Sequence, residues 1–418
     1  MILGGSRYAL PVIEAAHELG VYVITCDYLP DNIAHKYSDE YCNVSIIDKE
    51  AILKAAKNLK IDGIMSFACD PGVVTAAYVA EEMGLPNVGP YESVCILQNK
   101  KRFREFLTKN GFNVPVAKGY TDINSALKDV DLFNWPVIVK PTDRAGSIGI
   151  SIANNLKELE KAYQYAYEMS VEKRVIIEEY IYKADKVDFY YLAENGQLTL
   201  LTSCDTINAK NNGFSKVVQS AWLYPEKNLK SYNLKVKENI EKMIHGMNIK
   251  YGCVFFSGFV DENNEFVFFE CGYRLEGAHQ YYYSQKRGPL NFLDTFIFHS
   301  LYGNTSMVKR TSINENMKCV TINVFAKSGI IAQIAGVQQI ESMEDCTKSL
   351  LYGRIGQQCD DSKAILDKIY VFAFSSESAI KLKENVDKAY DLLKISDANG
   401  NDMIYDRIDT EKIISWWE

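Results

Sequence analysis

The sequence predicts an α/β N-terminal domain with a parallel sheet, followed by a two-part α+β core and a small α+β C-terminal subdomain. Three observations indicate this fold class. Short apolar strands alternate with helix-period segments up to about residue 90, as in βαβ units. The middle of the chain carries apolar strands that end in charged residues, and its last part combines two β-branched strands with an amphipathic helix. We therefore expect domains at residues 1–90, 91–305 and 306–418.

The bulk composition excludes several classes of protein. The chain has 418 residues, of which 47% are hydrophobic and 24% charged, and its formal net charge is -8. Because it is acidic and lacks Lys/Arg blocks, we expect no nucleic-acid partner. No run reaches 18 apolar residues, and the N-terminus lacks a basic region followed by a cleavage site, so neither a membrane partner nor a signal peptide is expected. Ten scattered cysteines without a CxxC pair favour a reducing, cytoplasmic location.

The N-terminal part is predicted to place ligands at one edge of its sheet. Its predicted strands and helices are Met1–Leu3, a helix at Tyr8–Leu19, Val21–Cys26, Ile61–Phe67 and a helix at about 72–84. Ligands bind at the carboxyl ends of parallel strands, where Asp70 lies. Gly4-Gly5 raises a dinucleotide interpretation, but Ser6 and Ala9 stand where GxGxxG needs glycines, so an NAD-dependent function ranks last.

The middle and last parts contain most of the predicted strands. A basic helix at 99–111 is followed by predicted strands at Trp135–Pro141, Arg174–Ile181, Asp188–Leu192, Leu198–Ser203, Val254–Val260, Phe266–Phe269, Cys319–Phe325 and Ile369–Phe374, and by a helix at Ser378–Ile395. Asn195-Gly196 and Asn263-Asn264 are predicted two-residue hairpin turns. His279, which precedes an aromatic run, is either a core residue or a contact to a substrate.

The hairpin around Asn263-Asn264 places a carboxylate at a costly position. Its register predicts that Glu270, at the end of an apolar strand, lies opposite Ser257 on the preceding strand. A carboxylate there is unfavourable unless something cationic meets it. Two interpretations follow: a structural salt bridge with Arg274, or a metal and phosphate site.

Three further features fit the binding of an anionic ligand. Lys140 ends a buried strand, where a compact charge suits a phosphate. The small-residue loop Ala145–Gly149 offers backbone N–H groups of the kind that cradle phosphates. Glu178-Glu179 ends another apolar strand and offers acceptors to a purine amino group. Each has a structural alternative: a lysine that reaches solvent, a simple turn, and solvated acids.

In this order and spacing, the motifs resemble those of the ATP-grasp superfamily, specifically its carboxylate–amine (or thiol) ligases, over nearly the whole chain. The matching segments are Asn99-Lys100, Val137–Pro141, Ala145–Gly149, Ile177–Ile181 and Glu270–Arg274. The resemblance implies a two-part α+β ATP-grasp core with a lid subdomain at about 115–190. It also implies that the C-terminal α+β subdomain completes this core.

The resemblance implies that ATP and Mg²⁺ are the cofactors. The residues implied in nucleotide binding are Lys100, Lys140, Ser147, Glu178, Glu179, Ile181 and Asp185. The two lysines and the loop with Ser147 would hold phosphates, Glu178 and the main chain after it would bind adenine, and Asp185 would bind ribose, with Asp188 as the second choice. Glu270 would bind one or two Mg²⁺ ions, and Arg274 would orient the acyl phosphate or the substrate carboxylate.

Two positions depart from the family pattern. Ser257 stands where the family has a second metal-binding Glu, and Gly272 stands where it has an Asn; Glu276 is a further candidate ligand. The implied function is ATP-dependent formation of an acyl phosphate from a small-molecule carboxylate, followed by coupling to an amine. The alternatives are an ATP-binding protein with weak or lost ligase activity and a small-molecule kinase. The expected partners are the carboxylate and the amine, and a homodimer is an open alternative.

Overall fold

The computed structural model describes residues 1–86, 89–144, 148–181, 185–209, 218–227, 229–249, 251–260, 266–274, 279–361 and 366–417, with side chains described at all of these except 185 and 229–236. Ser147, Glu276 and Asn263-Asn264 lie outside the described residues, as does the side chain of Asp185. In the described part, no helix is both long and apolar enough to cross a membrane.

The N-terminal part forms the parallel sheet that the sequence predicts. Its elements are β1 (Ile2–Leu3), α1 (Leu10–Glu18), β2 (Ile24–Cys26), β3 (Glu40–Cys42), α2 (Lys49–Leu59), β4 (Met65–Ser66) and α3 (Asp70–Met83). The strand order is β3-β2-β1-β4, and every pairing is parallel. The carboxyl ends of β1 and β4 therefore lie side by side, which brings the segments after Leu3 and Ser66 together.

Two helices and a small antiparallel sheet follow. The elements are α4 (Tyr91–Gln98), α5 (Lys100–Lys109), β5 (Ala117–Tyr120), α6 (Ile123–Lys128), β6 (Val137–Pro141), β7 (Ser151–Ala153), α7 (Leu156–Met169) and β8 (Val175–Glu179). The sheet has the order β5-β8-β6-β7. Helix α5 begins where the Asn99 side chain accepts a hydrogen bond from Arg102 N at 3.0 Å. Its Phe103, Arg104 and Leu107 are buried.

A large antiparallel sheet forms the centre of the molecule. The elements next in the chain are β9 (Asp185–Glu194), β10 (Gln197–Asn208), β11 (Gln219–Tyr224), α8 (Leu229–Gly246), β12 (Gly252–Val260), β13 (Phe266–Gly272), α9 (Gln280–Arg287) and α10 (Phe292–Tyr302). Asn195 and Gly196 have φ of 53° and 78°, as a two-residue turn with two positive φ angles requires, and the predicted hairpin is confirmed.

The last part of the chain extends the same sheet. Its elements are β14 (Lys318–Phe325), β15 (Gly329–Ile330), β16 (Gln333–Ala335), α11 (Val337–Glu341), β17 (Cys346–Leu351), β18 (Gln358–Cys359), β19 (Lys368–Ser376), α12 (Ala379–Leu392), β20 (Lys394–Ser396) and α13 (Glu411–Trp417). The large sheet has the order β13-β12-β9-β10-β11-β14-β19-β17. β14, β17 and β19 thus join the strands of the middle part.

The two faces of the large sheet pack against different parts of the molecule. Phe189 and Phe256 belong to an apolar cluster with side chains of α4, α5 and α8. Tyr190 and Phe255 belong to another cluster, with side chains of α1, α9 and α10. Because side chains alternate along a strand, Asp188 lies on the same face as Tyr190, toward the N-terminal domain.

Candidate active site

A buried ion cluster joins α5 to the small sheet. Glu178 Oε1 accepts from Arg104 Nε at 3.1 Å and lies 2.9 Å from Arg104 Nη2, and Glu178 Oε2 forms an ion pair with Lys140 Nζ. All three side chains are at most 7% exposed. Lys140 and Glu178 meet because β6 and β8 are paired, with Ile138 opposite Glu178. Two cations therefore share one buried carboxylate.

The two cations of this cluster favour the ionised form of Glu178. Together with one carboxylate they give the cluster a net positive charge. Burial alone would raise the pKa of Glu178, but Arg104 and Lys140 outweigh it and lower the pKa to about 2. Burial lowers the pKa of Lys140, and Arg104 and Lys100 lower it further, while Glu178 opposes the change. An added anion would stabilise the ammonium of Lys140.

Lys100 approaches the loop that contains Ser147. Its Nζ donates to Arg144 O at 2.7 Å, and Arg144 is the last described residue before that loop. The side chain of Arg144 points elsewhere, since its Nε donates to Met169 O at 2.6 Å. Lys100 thus lies at the start of the segment predicted to bind phosphates, while the roles of Lys100 and Ser147 stay predictions.

The segment predicted as the adenine hinge follows β8. The carboxylate of Glu179 accepts hydrogen bonds from Asn134 N at 3.0 Å and from Asn134 Nδ2 at 2.8 Å. These bonds hold it next to the segment that leads into β6. Tyr180 N donates to Pro136 O at 3.0 Å. Ile181 is half-buried at the end of this range. The binding roles of Glu178, Glu179 and Ile181 stay predictions.

The predicted pairing of Glu270 with Ser257 is present, but the hairpin contains a bulge. Ser257 lies opposite Glu270, whereas Gly258 lies opposite Phe268, which leaves Phe269 as an extra residue on β13. The pairing nearest the turn is therefore shifted by one residue, and the expectation of one uniform two-residue hairpin register was wrong. The bulge separates the apolar end of β13 from Glu270.

A carboxylate lies one strand beyond Ser257. Asp188 on β9 is opposite Ser257 on β12, so Glu270, Ser257 and Asp188 form a row across three strands on one face. Asp188 is fully buried, accepts a hydrogen bond from Ser257 Oγ, and accepts from Lys186 Nζ at 2.6 Å. Sequence reasoning named Asp188 only as a second choice for ribose and did not find this row.

Arg274 is paired with the N-terminal domain. Its Nε donates to Asp70 Oδ1 at 2.5 Å and its Nη2 donates to Asp70 Oδ2 at 2.8 Å, in a bidentate arrangement. The guanidinium carbon also lies 5.0 Å from the centre of the Phe255 ring. The structural alternative of an Arg274–Glu270 salt bridge was therefore wrong. Glu270 is half-buried, and no described residue forms an ion pair with it.

The ion cluster and the Glu270 strand lie next to each other. Lys140 Nζ is 5.9 Å from the centre of the Phe269 ring, and Phe269 immediately precedes Glu270. Phe268 N donates to Asn113 O at 3.3 Å, which connects β13 to the segment between α5 and β5. The site thus has cations of α5 and β6 on one side and the acid of β13 on the other.

The fit to a metal ion is partial. Carboxylate oxygens are the ligands that Mg²⁺ prefers, and Glu270 supplies two of them beside the hydroxyl of Ser257. Within the described ranges, no group of three His, Cys, Asp or Glu side chains is arranged to hold a metal ion. The candidate ligand Glu276 lies outside those ranges.

Residues 99–281 match the family model described as "Carbamoyl-phosphate synthase L chain, ATP binding domain". This range contains the whole ion cluster and Glu270. This stretch, 183 of the 418 residues, matches an ATP-binding domain of the ATP-grasp type. The chain has the predicted architecture, with a parallel N-terminal sheet and a large antiparallel sheet.

Curated relatives match about half of the chain or less. A formate-dependent phosphoribosylglycinamide formyltransferase of Prochlorococcus marinus is 29% identical over 190 residues, which are 43% of this chain and 47% of the relative. A phosphoribosylamine–glycine ligase of Thermococcus kodakarensis is 29% identical over 153 residues, or 32% of this chain and 35% of the relative. The matches therefore span about half or less of these relatives' length.

Solved structures match nearly the whole chain. An L-amino acid ligase from Bacillus licheniformis has a TM-score of 0.78 at 18% identity, with 95% of this chain and 98% of the other covered. An N5-carboxyaminoimidazole synthetase from Staphylococcus aureus complexed with ADP has a TM-score of 0.71 at 17% identity, with 93% and 96% covered. At these identities the likeness concerns the fold.

Sequence reasoning missed Arg104 and the Asp70–Arg274 pair. Arg104 carried one usable signal: it lies between Phe103 and Leu107 on the apolar face of a helix, where an unpaired cation is unfavourable. Asp70 was named only from its place after a strand. No local pattern connects it with Arg274, which is 204 residues away.

Proposed function

We propose that this ATP-grasp protein is an ATP-dependent carboxylate–amine ligase. It activates a small-molecule carboxylate as an acyl phosphate and couples it to an amine, with release of ADP and phosphate. The observation that carries this proposal is the buried Arg104–Glu178–Lys140 cluster, which has one more cation than anions and lies beside the Glu270 strand. The names of the relatives, which include two ligases and a formate-dependent formyltransferase, support a carboxylate and an amine as substrates.

In this proposal, the nucleotide lies between the small sheet and the large sheet. Lys100, Lys140 and the loop with Ser147 bind the phosphates, whose charge offsets the excess cation of the cluster. Glu178, Glu179 and Ile181 border the adenine, and Asp185 binds the ribose. Since Glu178 already accepts from two cations, its main part in nucleotide binding is to hold Lys140 in place.

Mg²⁺ would be held by Glu270, with Ser257 or Glu276 as a further ligand, and would neutralise charge on the phosphates. One or two ions are compatible with these ligands. Arg274 orients the acyl phosphate or the carboxylate, since a planar guanidinium binds two oxygens at once. The carboxylate oxygen takes the γ-phosphoryl group, and ADP leaves. The amine nitrogen then attacks the acyl carbon, a C–N bond forms, and phosphate leaves with loss of the amine proton.

A second candidate is a nucleotide-binding protein without turnover. The observation that favours it is Ser257, a neutral residue, opposite Glu270. A neutral oxygen balances a divalent ion less well than a carboxylate does.

The two candidates differ in release of ADP. We would measure ADP formation from ATP and Mg²⁺ with pools of small carboxylates and amino acids, and ATP binding by calorimetry. The ligase is expected to release ADP only when a carboxylate and an amine are both present. Lys140→Ala should weaken ATP binding at least tenfold, and Glu270→Gln should abolish ADP release while ATP still binds; Lys101→Ala, an exposed cation on α5, is the matched control. ATP binding without ADP release in every pool would reject the ligase.

The cellular setting is a further part of the proposal. All ten cysteines are free thiols, which is compatible with a reducing cytoplasmic location. A homodimer stays a prediction.

A further inference from the structure

Three cations surround His279, and none of them forms an ion pair within the part of the chain that the structure describes. Arg7 lies in the 3-10 helix Arg7–Ala9 directly after β1, Lys348 lies on β17, and Lys368 begins β19. All three side chains are half-buried, and none forms an ion pair with any residue in the described ranges. The chain as a whole has a net charge of -8, so an uncompensated cationic cluster is unexpected from its composition.

Aromatic rings fix the geometry of this cluster. The ring nitrogens of His279 lie 2.7 Å from Tyr281 Oη and 2.9 Å from Tyr352 Oη, so both are occupied. The guanidinium carbon of Arg7 is 4.1 Å from the centre of the Tyr352 ring. Lys348 Nζ is 4.7 Å from the centre of the Tyr282 ring. Lys368 Nζ is 5.6 Å from the centre of the Trp222 ring and 5.8 Å from that of Phe325. All three cations thus lie over aromatic rings, whose quadrupoles offset part of their charge.

The charges that act on His279 itself are positive, while Glu14 lies close enough to raise the pKa of Tyr282. Burial lowers the pKa of His279 to about 3, with further lowering by Lys368, Lys348 and Arg7, so the imidazole is neutral. Burial, and then Arg7, lower the pKa of Lys368 to about 8. Like charges that share a partly desolvated site repel one another, and an anion between them removes the cost.

The cluster lies on the substrate side of the proposed active site. Parallel pairing of β1 with β4 brings Arg7, after β1, close to the segment after β4. That segment contains Asp70, which binds Arg274. His279 is itself in the same stretch of chain as Arg274. The proposed nucleotide site has its own cations, Lys100 and Lys140, which are not among the charges that act on His279, so this cluster is left for a different ligand.

We propose that Arg7, Lys348 and Lys368 bind an anionic group, a carboxylate or a phosphate, on the acceptor amine. The acceptor is then an amine that carries an acidic group, such as an amino acid or a phosphorylated amine, and not a simple neutral amine. Tyr282 and Tyr352 form the walls against which its body packs. This inference rests on the proposed ligase function and specifies its second substrate.

The probes are inorganic phosphate and succinate, titrated into the full-length protein by calorimetry at constant ionic strength without nucleotide. We expect saturable binding of at least one of them. Arg7→Met and Lys348→Met should each weaken it tenfold or more, and Lys348→Arg should restore most of the affinity. Lys57→Met, an exposed lysine on α2, should have no effect. Preference for phosphate indicates a phosphorylated acceptor, and preference for succinate indicates an amino acid.

Binding at the nucleotide site is separated by a further variant. Lys140→Ala lies outside the cluster, so the anion binding that is lost in Arg7→Met and Lys348→Met should persist in it. Any anion binding that Lys140→Ala alone removes belongs to the proposed nucleotide site. Equal affinity in wild type, Arg7→Met and Lys348→Met, or no saturable binding of either anion, would overturn the inference while ATP binding and ADP release could still be intact. Conversely, cluster-dependent anion binding without ADP release would support this site and reject the ligase function. Thermal unfolding confirms that each variant is folded.

Discussion

Glu178 is the residue on which the nucleotide side of the site depends. Its carboxylate contacts Nε and Nη2 of Arg104, on a helix, and forms an ion pair with the ammonium of Lys140, on a strand. Removal of one partner from a buried ion pair costs about 3–5 kcal/mol, because the remaining charge stays desolvated. Glu178 is therefore needed even before a nucleotide binds, since it keeps two cations together in a buried place.

The first prediction concerns stability in acid. The folded pKa of Glu178 is about 2, below its ordinary value of 4.5, so its contribution is fully present above about pH 4.5 and is lost as the pH falls toward 2. The shift corresponds to on the order of 3 kcal/mol. Glu178→Gln should lower the midpoint of urea unfolding at pH 7. Between pH 4.5 and pH 3 this midpoint should decrease less in the variant than in the wild type.

Glu105→Gln is the control for this experiment, because Glu105 lies on the same helix as Arg104 but is exposed. It should follow the wild type at every pH. If Glu178→Gln also keeps the acid-dependent fall of the wild type, the carboxylate of Glu178 does not stabilise the fold in the way proposed.

At this scale, sequence reasoning found most of the important charged residues one by one but not the pairs that they form. Lys140 and Glu178 were singled out because a charge at the end of an apolar strand needs an explanation. Arg104 was not, because its partner is 74 residues away and helical periodicity gives no information about such a contact. The same limit applies to Asp70, whose partner is in another domain.

Among the elements, the β12–β13 hairpin and its neighbour β9 determine where acidic charge lies. Ser257 is opposite both Glu270 and Asp188, so the row has carboxylates on its two outer strands and a hydroxyl between them. The hydroxyl donates to Asp188, which places the Ser257 oxygen near that buried charge. Restoring a Glu at position 257 alone would therefore put two buried carboxylates side by side.

The second prediction follows from this row. Ser257→Glu alone should lower the thermal stability, because like charges repel in a buried site. The exchange Asp188→Ser with Ser257→Glu keeps one carboxylate and moves it one strand, about 4.8 Å, toward Glu270. We expect this double variant to reach half-maximal ADP release at a lower Mg²⁺ concentration than the wild type, on the order of tenfold, or about 1.4 kcal/mol.

Asp188→Ser alone serves as the matched control, since it removes the carboxylate without replacing it. An unchanged Mg²⁺ requirement in the double variant would mean that another group already completes the metal site, and Ser257 would then have no bearing on metal affinity.

The elements were predictable to the extent that their signals are local. The Asn195-Gly196 hairpin is confirmed, because the turn residues themselves require positive φ angles. The pairing of Ser257 with Glu270 was also found, although the bulge at Phe269 was not, since an extra residue in one strand leaves no mark in the hydrophobic pattern. Short polar strands such as Glu40–Cys42 and Ala117–Tyr120 were missed. They are strands because they pair with neighbouring strands, and their own composition does not indicate this.

For the whole molecule, the Asp70–Arg274 pair is the described ion pair that joins the N-terminal domain to the Glu270 strand. Its two hydrogen bonds connect the first turn of α3 with the residues after β13. The Arg274 side chain is 9% exposed and that of Asp70 is 25% exposed, so a substrate carboxylate could reach the pair from the Asp70 side. We infer that Asp70 holds the guanidinium in the orientation that the substrate carboxylate later needs, and that the two carboxylates compete for it.

The third prediction tests this competition. Asp70→Asn keeps the size of the side chain but removes its charge, so Arg274 would be held less tightly and would bind a substrate carboxylate better. We expect a lower KM for the carboxylate together with a lower thermal stability, because hydrogen bonds to charged groups contribute about 1.5–3 kcal/mol. Arg274→Lys, which cannot form the bidentate contact, should lower kcat/KM by a hundredfold or more. Glu82→Gln, at an exposed position on the same helix α3, is the control and should change neither quantity. If Asp70→Asn lowers stability and leaves KM unchanged, the pair only fastens the N-terminal domain to the core, and Arg274 does not bind the carboxylate.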